Sequence, residues 1–174
     1  MVKRIKLNLE AVEAMLYYWQ AASEKDNIPE NFFYDVSEMP ALSAAYDDEF
    51  NAESVRRALS AIKNREPFVG NKKEKKFWNN NMWMMEDLEY TSAMAAPVKK
   101  LNLDNLVSEI KGDKYEEVEV IFSPLHSDEY IIKENKLIIN FFRVNPPIMD
   151  DKTRIADKEL TEYIKEKIEE LQNK

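Results

Sequence analysis

Tyr130-Ile131-Ile132-Lys133-Glu134-Asn135-Lys136-Leu137-Ile138-Ile139-Asn140-Phe141-Phe142-Arg143-Val144 holds two apolar runs parted by two polar residues, and that spacing predicts a β-hairpin. Glu134-Asn135 supplies the turn, because asparagine tolerates a left-handed backbone; the register then sets Ile132 against Leu137 and Tyr130 against Ile139. The second run is apolar on both faces apart from Asn140, which places it centrally in a sheet with protein on each side. Upstream, Val118, Val120 and Phe122 alternate with Glu117, Glu119 and Ile121, the period-two pattern of a strand with one drier face. Val98–Leu103 reads as a further strand, and residues 104–111 as a short helix closed by Gly112. Pro146-Pro147 ends the sheet. Beyond it, Leu160, Tyr163, Ile164, Ile168 and Leu171 form one stripe of a helix over residues 157–172, which docks on the sheet.

Before Pro97 the apolar period is helical. Leu9, Val12, Met15, Leu16, Trp19 and Ala22 make one stripe of a helix over residues 8–25, with Asn8 as its cap and Asn27 and Pro29 as its stop. Residues 28–50 show no sustained period and read as an ordered connector with a short helical piece at residues 41–46. Asn51 caps a third helix with Val55, Ala58, Leu59 and Ile62 inside; Asn71 and Glu74 form a capping box that opens a fourth. Asn79-Asn80-Asn81 is poor helix interior, so a break or re-cap is expected at Asn81. The fold class is therefore α+β, with a helical N-terminal lobe packed against a three- or four-stranded, mainly antiparallel C-terminal sheet and a C-terminal amphipathic helix. Residues 1–174 form one domain, its lobes 1–96 and 97–174 meeting at Pro97.

Composition removes many chemistries. The chain has no cysteine, two glycines and one histidine among 174 residues, so thiolate catalysis, glycine-rich phosphate loops, the nucleophile elbow and the paired-histidine zinc helix are all excluded. No organic cofactor or metal is expected. Glu10 and Glu13 interrupt the stretch where a secretory signal needs apolar residues, and no apolar run approaches the roughly 20 residues of a membrane helix; a cytoplasmic, membrane-free protein is expected. A net charge of −8 argues against nucleic acid as a partner.

Four constellations could carry function. Residues 24–49 hold eight acids against Lys25, whereas residues 56–76 hold eight bases against Glu66 and Glu74; such a reversal either steers a partner or pairs with itself. Within the acidic segment, Tyr46, Asp47, Asp48, Glu49 and Phe50 join aromatics to a compact negative cluster suited to a basic protein; the plainer reading turns the aromatics inward. Lys72–Lys76 leads into Phe77 and Trp78 and could hold a phosphate, although lysines commonly just cover a solvated helix face. Trp78 and Trp83, crowded by methionines, could line a ligand pocket or simply fill the core. His126 lies in a loop with Ser123, Ser127, Asp128 and Glu129 and could join that pocket, though spacing alone does not make a catalytic site. The expectation is a non-catalytic interaction protein, inhibitor- or immunity-like, with an acidic partner surface at residues 46–50. The alternative is a small-molecule binder or cofactor-independent enzyme built on Trp78, Trp83 and His126.

Overall fold

The computed structural model describes residues 1–148 and 150–174. The hairpin forms as its spacing predicts: β3 (Tyr130–Lys133) and β4 (Lys136–Asn140) run antiparallel, with Ile132 opposite Leu137 and Tyr130 opposite Ile139. Glu134, with φ of 55°, is the turn residue that takes the left-handed backbone. β4 is central, flanked by β3 and by β2 (Glu117–Ser123), and β1 (Arg4–Asn8) closes the order β1-β2-β4-β3.

The α+β class holds, but the sheet is mixed rather than mainly antiparallel. β1 pairs with β2 in parallel, as does β2 with β4, and only the hairpin is antiparallel. The difference comes from β1, whose Arg4-Ile5-Lys6-Leu7 alternates charged and apolar side chains. The helices that follow it form one long crossover before the chain returns as β2, and a crossover of that kind yields a parallel pair. The N-terminal segment is thus part of the sheet.

Side-chain alternation sorts the two faces of the sheet. Tyr130 donates to Glu170 of α7 (Leu160–Gln172), and the two-residue repeat puts Val120, Phe122, Leu137 and Ile139 on the same side. The α7 stripe Leu160, Tyr163, Ile164, Ile168 and Leu171 is fully buried there. On the other side, Ile121 meets Ala11 of α1 (Glu10–Ser23) and Ala41 of α3 (Pro40–Ser43) around a recess of about 100 Å3. Burying the sheet on both faces explains why Leu137, Ile138, Ile139 and Asn140 are all sealed from water.

Several helices depart from the expected bounds. α2 (Glu30–Ser37) lies within the supposed connector and buries Phe33 and Val36; at eight residues it is too short for its period to stand out. α4 (Ala52–Lys63) begins at the Asn51 cap, and α5 (Lys72–Glu86) begins at the Asn71/Glu74 box. α5 runs unbroken through the three asparagines, and the re-cap comes instead at Asp87, whose carboxylate accepts from the Tyr90 N–H to start α6 (Leu88–Lys99). Asn81 is tolerated because it is fully buried and bonded: it donates to the Phe77 carbonyl and accepts from Trp19 Nε1, each at 2.9 Å.

No strand forms at Val98–Leu103. α6 continues through Pro97, so the expected lobe junction falls inside a helix. In the last turn of α6 the proline forgoes the hydrogen bond to Ala93 and crowds its carbonyl, and the helix ends two residues later at Lys99. A 3-10 helix then covers Leu103–Glu109 and packs on β1. Gly112, with φ of 113°, lets the chain pass close to Gln172, where an added Cβ would come within 2.6 Å of that side chain. Gln172 uses the closeness to bond both the N–H and the carbonyl of Tyr115. β5 (Arg154–Ile155) and β6 (Lys158–Glu159) make a small second ribbon before α7. Among the described residues, no helix is long and apolar enough to cross a membrane.

Candidate functional site

The 3.6-residue period divides α5 into two faces with different tasks. Glu74, Phe77, Asn81, Met84 and Met85 point inward and are buried. Lys72, Lys76, Asn79 and Trp83 follow one another at steps of three and four along the outer face with Lys75 beside them, and all five are exposed. Trp83 thus stands on the polar stripe rather than in the core, with 68% of its surface open to water. It lines a groove of about 540 Å3 between α5, α6 and the Phe142–Asn145 turn, with Met84, Tyr90, Met94 and Phe142 around it. Asn79 and Asn145 also line the groove, and the side-chain amide of neither makes a hydrogen bond among the described residues.

Trp78 belongs to a neighbouring recess. Its indole stacks on Phe68 at 6.0 Å and 8°, and the pair floors a hollow of about 630 Å3 ringed by Lys72, Lys75, Lys76 and Ser127. Its Nε1 is sealed from water and has no hydrogen-bond partner among the described residues. The two hollows share Lys76 and Asn79, so Trp78 and Trp83 sit along one continuous face.

His126 lines neither hollow. Its ring is buried against Phe50 at a centroid distance of 4.6 Å, and Nδ1 accepts from the Ser127 N–H at 2.8 Å. Nε2 completes no hydrogen bond among the described residues, although the Ala45 carbonyl on that side favours the protonated ring. Its main chain is tied to α5 through the Asn80 amide, which donates to the His126 carbonyl at 3.1 Å. Burial is the main influence on the imidazole and lowers its pKa; Lys73 lowers it further, while Asp128, Asp47 and the Ala45 carbonyl act in the opposite sense. A histidine whose folded-state pKa is depressed contributes stability that is complete above the unfolded value near ~6.5 and lost as pH falls below it. The chain is therefore expected to lose stability in denaturant titrations as pH falls below that value. His126→Gln should flatten the slope, and an unchanged slope would place the acid sensitivity elsewhere.

The acidic cluster turns partly upon its own chain. Phe50 is buried and packs edge-on against Phe77 at 5.2 Å, while the Tyr46 hydroxyl donates to the Ser37 carbonyl at 2.5 Å. Asp47 accepts from the N–H groups of Glu49 and Phe50 and pairs with Lys73 at 2.5 Å; Glu49 reaches the same ammonium at 3.5 Å. The bond from Lys73, with those two N–H groups, holds the Asp47 carboxyl below the usual range. Asp48 remains exposed and makes no ion pair among the described residues.

Compared with family models, with characterised proteins and with solved structures, the chain matches none.

One hollow lay outside the sequence reading. Between α2, α4 and residues 64–69 is a groove of about 630 Å3, in which Arg56 lies 4.6 Å over Tyr34 and Arg57 lies 5.4 Å over Phe68. The Arg56-Arg57 pair was visible in the sequence, but with α2 unrecognised nothing brought Tyr34 to it. The groove is largely self-satisfied. Arg57 is bonded to Glu74 and the Val69 carbonyl, Arg56 to Ser37, and Glu30, Glu53 and Glu66 balance its charge. Among the described residues, no three His, Asp or Glu side chains cluster as metal ligands would.

Proposed function

We propose that this chain is a non-catalytic interaction protein that grips its partner through the outer face of α5, with Trp83 as the anchor. The observation that carries this reading is the position of Trp83 on a polar stripe, open to water and set in a groove with free amides at its edge. Single exposed hydrophobic side chains are common, but Trp83 shares one groove with Met84, Tyr90, Met94 and Phe142, and tryptophan leads the residues that dominate interfaces. Covering roughly 150 Å2 of its ring contributes about 3–4 kcal/mol, enough to separate a specific contact from a chance one. Catalysis has less support, because the only imidazole faces Phe50 instead of either hollow. A small-molecule site using Trp78, Trp83 and His126 together lacks support for the same reason. A cysteine-free chain suits a reducing compartment, and we place this binding in the cytoplasm.

Trp83→Ala should leave the melting temperature unchanged while weakening partner binding by about a hundredfold. Proteins captured from extracts of the source cell on wild-type and variant columns, with each difference then titrated as purified protein by calorimetry, provide the check. Identical capture by both columns would overturn the reading.

A second reading keeps the acidic segment as the contact for a basic protein, favoured by exposed Asp48 and Glu49 and by the net charge of −8. Asp47 is already committed to Lys73, so Asp48→Lys is the informative variant. This reading expects salt-sensitive capture that the variant abolishes without loss of stability. Capture indifferent to the substitution would remove it.

A further inference from the structure

The α5 face carries a second property that narrows what can occupy it. Lys72, Lys75 and Lys76 form no ion pair with any carboxylate among the described residues, although the chain has 33 acids for 25 bases. Their neighbours show that pairing was available: Lys73 turns to Asp47 and Glu49, and Glu74 turns inward to Arg57. Arg143 adds a fourth positive charge beside the same recess by donating to the Ser127 carbonyl at 2.8 Å. At the other end the sign reverses, since Asp87 lines the Trp83 groove and Glu86 is exposed next to it.

Resting on the preceding reading, we propose that the face binds an extended acidic segment of a partner protein. Its carboxylates lie over Lys72, Lys75 and Lys76, and an apolar side chain beyond them enters the Trp83 groove. Lys72 and Trp83 are eleven positions apart, a rise of about 17 Å along a helix. That matches roughly five residues of extended chain at about 3.4 Å each. A metabolite would fill one hollow, whereas a segment of this length spans both. Asn79 and Asn145 offer the donors and acceptors that an extended backbone needs. Lysines with aromatics also suit single-stranded nucleic acid, but a strand bears a phosphate at every step and would carry one onto Asp87. A peptide can be charged at one end and neutral at the other.

A random heptapeptide display library panned against the whole chain tests this without presuming a sequence. Recovered peptides are then synthesised and titrated by fluorescence anisotropy against wild type, Trp83→Ala and the triple variant Lys72→Glu, Lys75→Glu, Lys76→Glu, with a labelled oligothymidylate alongside. The three lysines are exposed in the first turns of α5, where glutamate suits the helix dipole, so the triple variant should fold. The expected result is enrichment of peptides with several acids at one end and an aromatic or leucine at the other. Their affinity should fall about tenfold or more in the triple variant and with added salt, and be lost in Trp83→Ala. Neutral or basic peptides, no enrichment, or affinity untouched by lysine reversal would overturn the acidic occupant. If Trp83→Ala still abolished binding of peptides that are neutral or basic or indifferent to lysine reversal, the groove itself would stand, whereas no enrichment would overturn the groove as well. Binding indifferent to Trp83 would overturn the groove, and oligothymidylate held more tightly than the peptides would assign the face to nucleic acid.

Discussion

Glu74→Ala is expected to destabilise the protein by about 2–4 kcal/mol in a denaturant titration. The Glu74 carboxylate is nearly sealed, with a side chain 10% exposed, and accepts from Ser54 Oγ at 2.5 Å, Arg57 at 2.6 Å and the Asn71 N–H at 3.0 Å. Ser54 belongs to the capping box of α4, and Glu74 belongs to that of α5. One carboxylate therefore joins the starts of two helices, and its loss unfastens both. Arg57 is partly exposed and can turn to water, which keeps the cost below that of stranding a deeply buried charge.

Burial pushes the Glu74 pKa up, but the Ser54 hydroxyl, the Asn71 N–H and the Arg57 guanidinium outweigh it, so the net shift is downward. A carboxylate with a depressed folded-state pKa gives stability that is complete above the ordinary value near ~4.3 and lost as pH falls through the lower, folded one. Glu74→Gln keeps the shape and removes the charge. It should lie below wild type at neutral pH and approach it in acid. Parallel stability profiles for the two proteins would show that the charge at Glu74 contributes nothing.

The Asn51 cap, the Asn71/Glu74 capping box and the hairpin register were legible because each depends on a few adjacent residues. Asn71 with Glu74, or Ile132 opposite Leu137, is settled by local geometry before any tertiary contact forms. β1 was legible in principle, since Arg4-Ile5-Lys6-Leu7 alternates, but five residues at a chain end compete poorly with the strong helical stripe that follows. The parallel pairings were beyond reach. Nothing in Ile5 or Val118 says that they lie side by side after more than a hundred intervening residues.

The site divides in the same way. Trp83 was grouped with the methionines of α5 as bulk, yet its spacing from Lys72, Lys76 and Asn79 already put it on the water-facing stripe. The acidic segment was ambiguous for a different reason: eight acids near eight bases leave open whether the two meet, and here Lys73 meets Asp47. His126 drew notice as the only histidine, but its seat beside Phe50 is a packing outcome that no local spacing encodes. Asn80 and Asn81 were read by propensity alone, whereas their neighbours decide their place. Asn80 ties α5 to the His126 loop, and Asn81 ties it to α1.

Asn81→Leu, nearly isosteric but unable to accept a hydrogen bond, should cost about 2–3 kcal/mol by stranding the buried Trp19 Nε1 donor. Trp19→Phe should cost a similar amount, since it strands the Asn81 oxygen and leaves space where the indole was. In the double variant neither unmet polar group remains, so the combined loss should fall short of the sum by about 1–2 kcal/mol. Denaturant unfolding of the four proteins reads this directly, and strict additivity would mean that the Trp19–Asn81 bond adds nothing. The pair also reaches the proposed contact surface. Trp19 stacks on Phe141 at 5.8 Å and lies 6.0 Å from Phe142, the ring that walls the Trp83 groove. Asn81→Leu should therefore weaken peptide binding at Trp83 without touching the ligand, and Trp19→Phe added to it should weaken that binding further, because the smaller ring leaves Phe142 poorly supported.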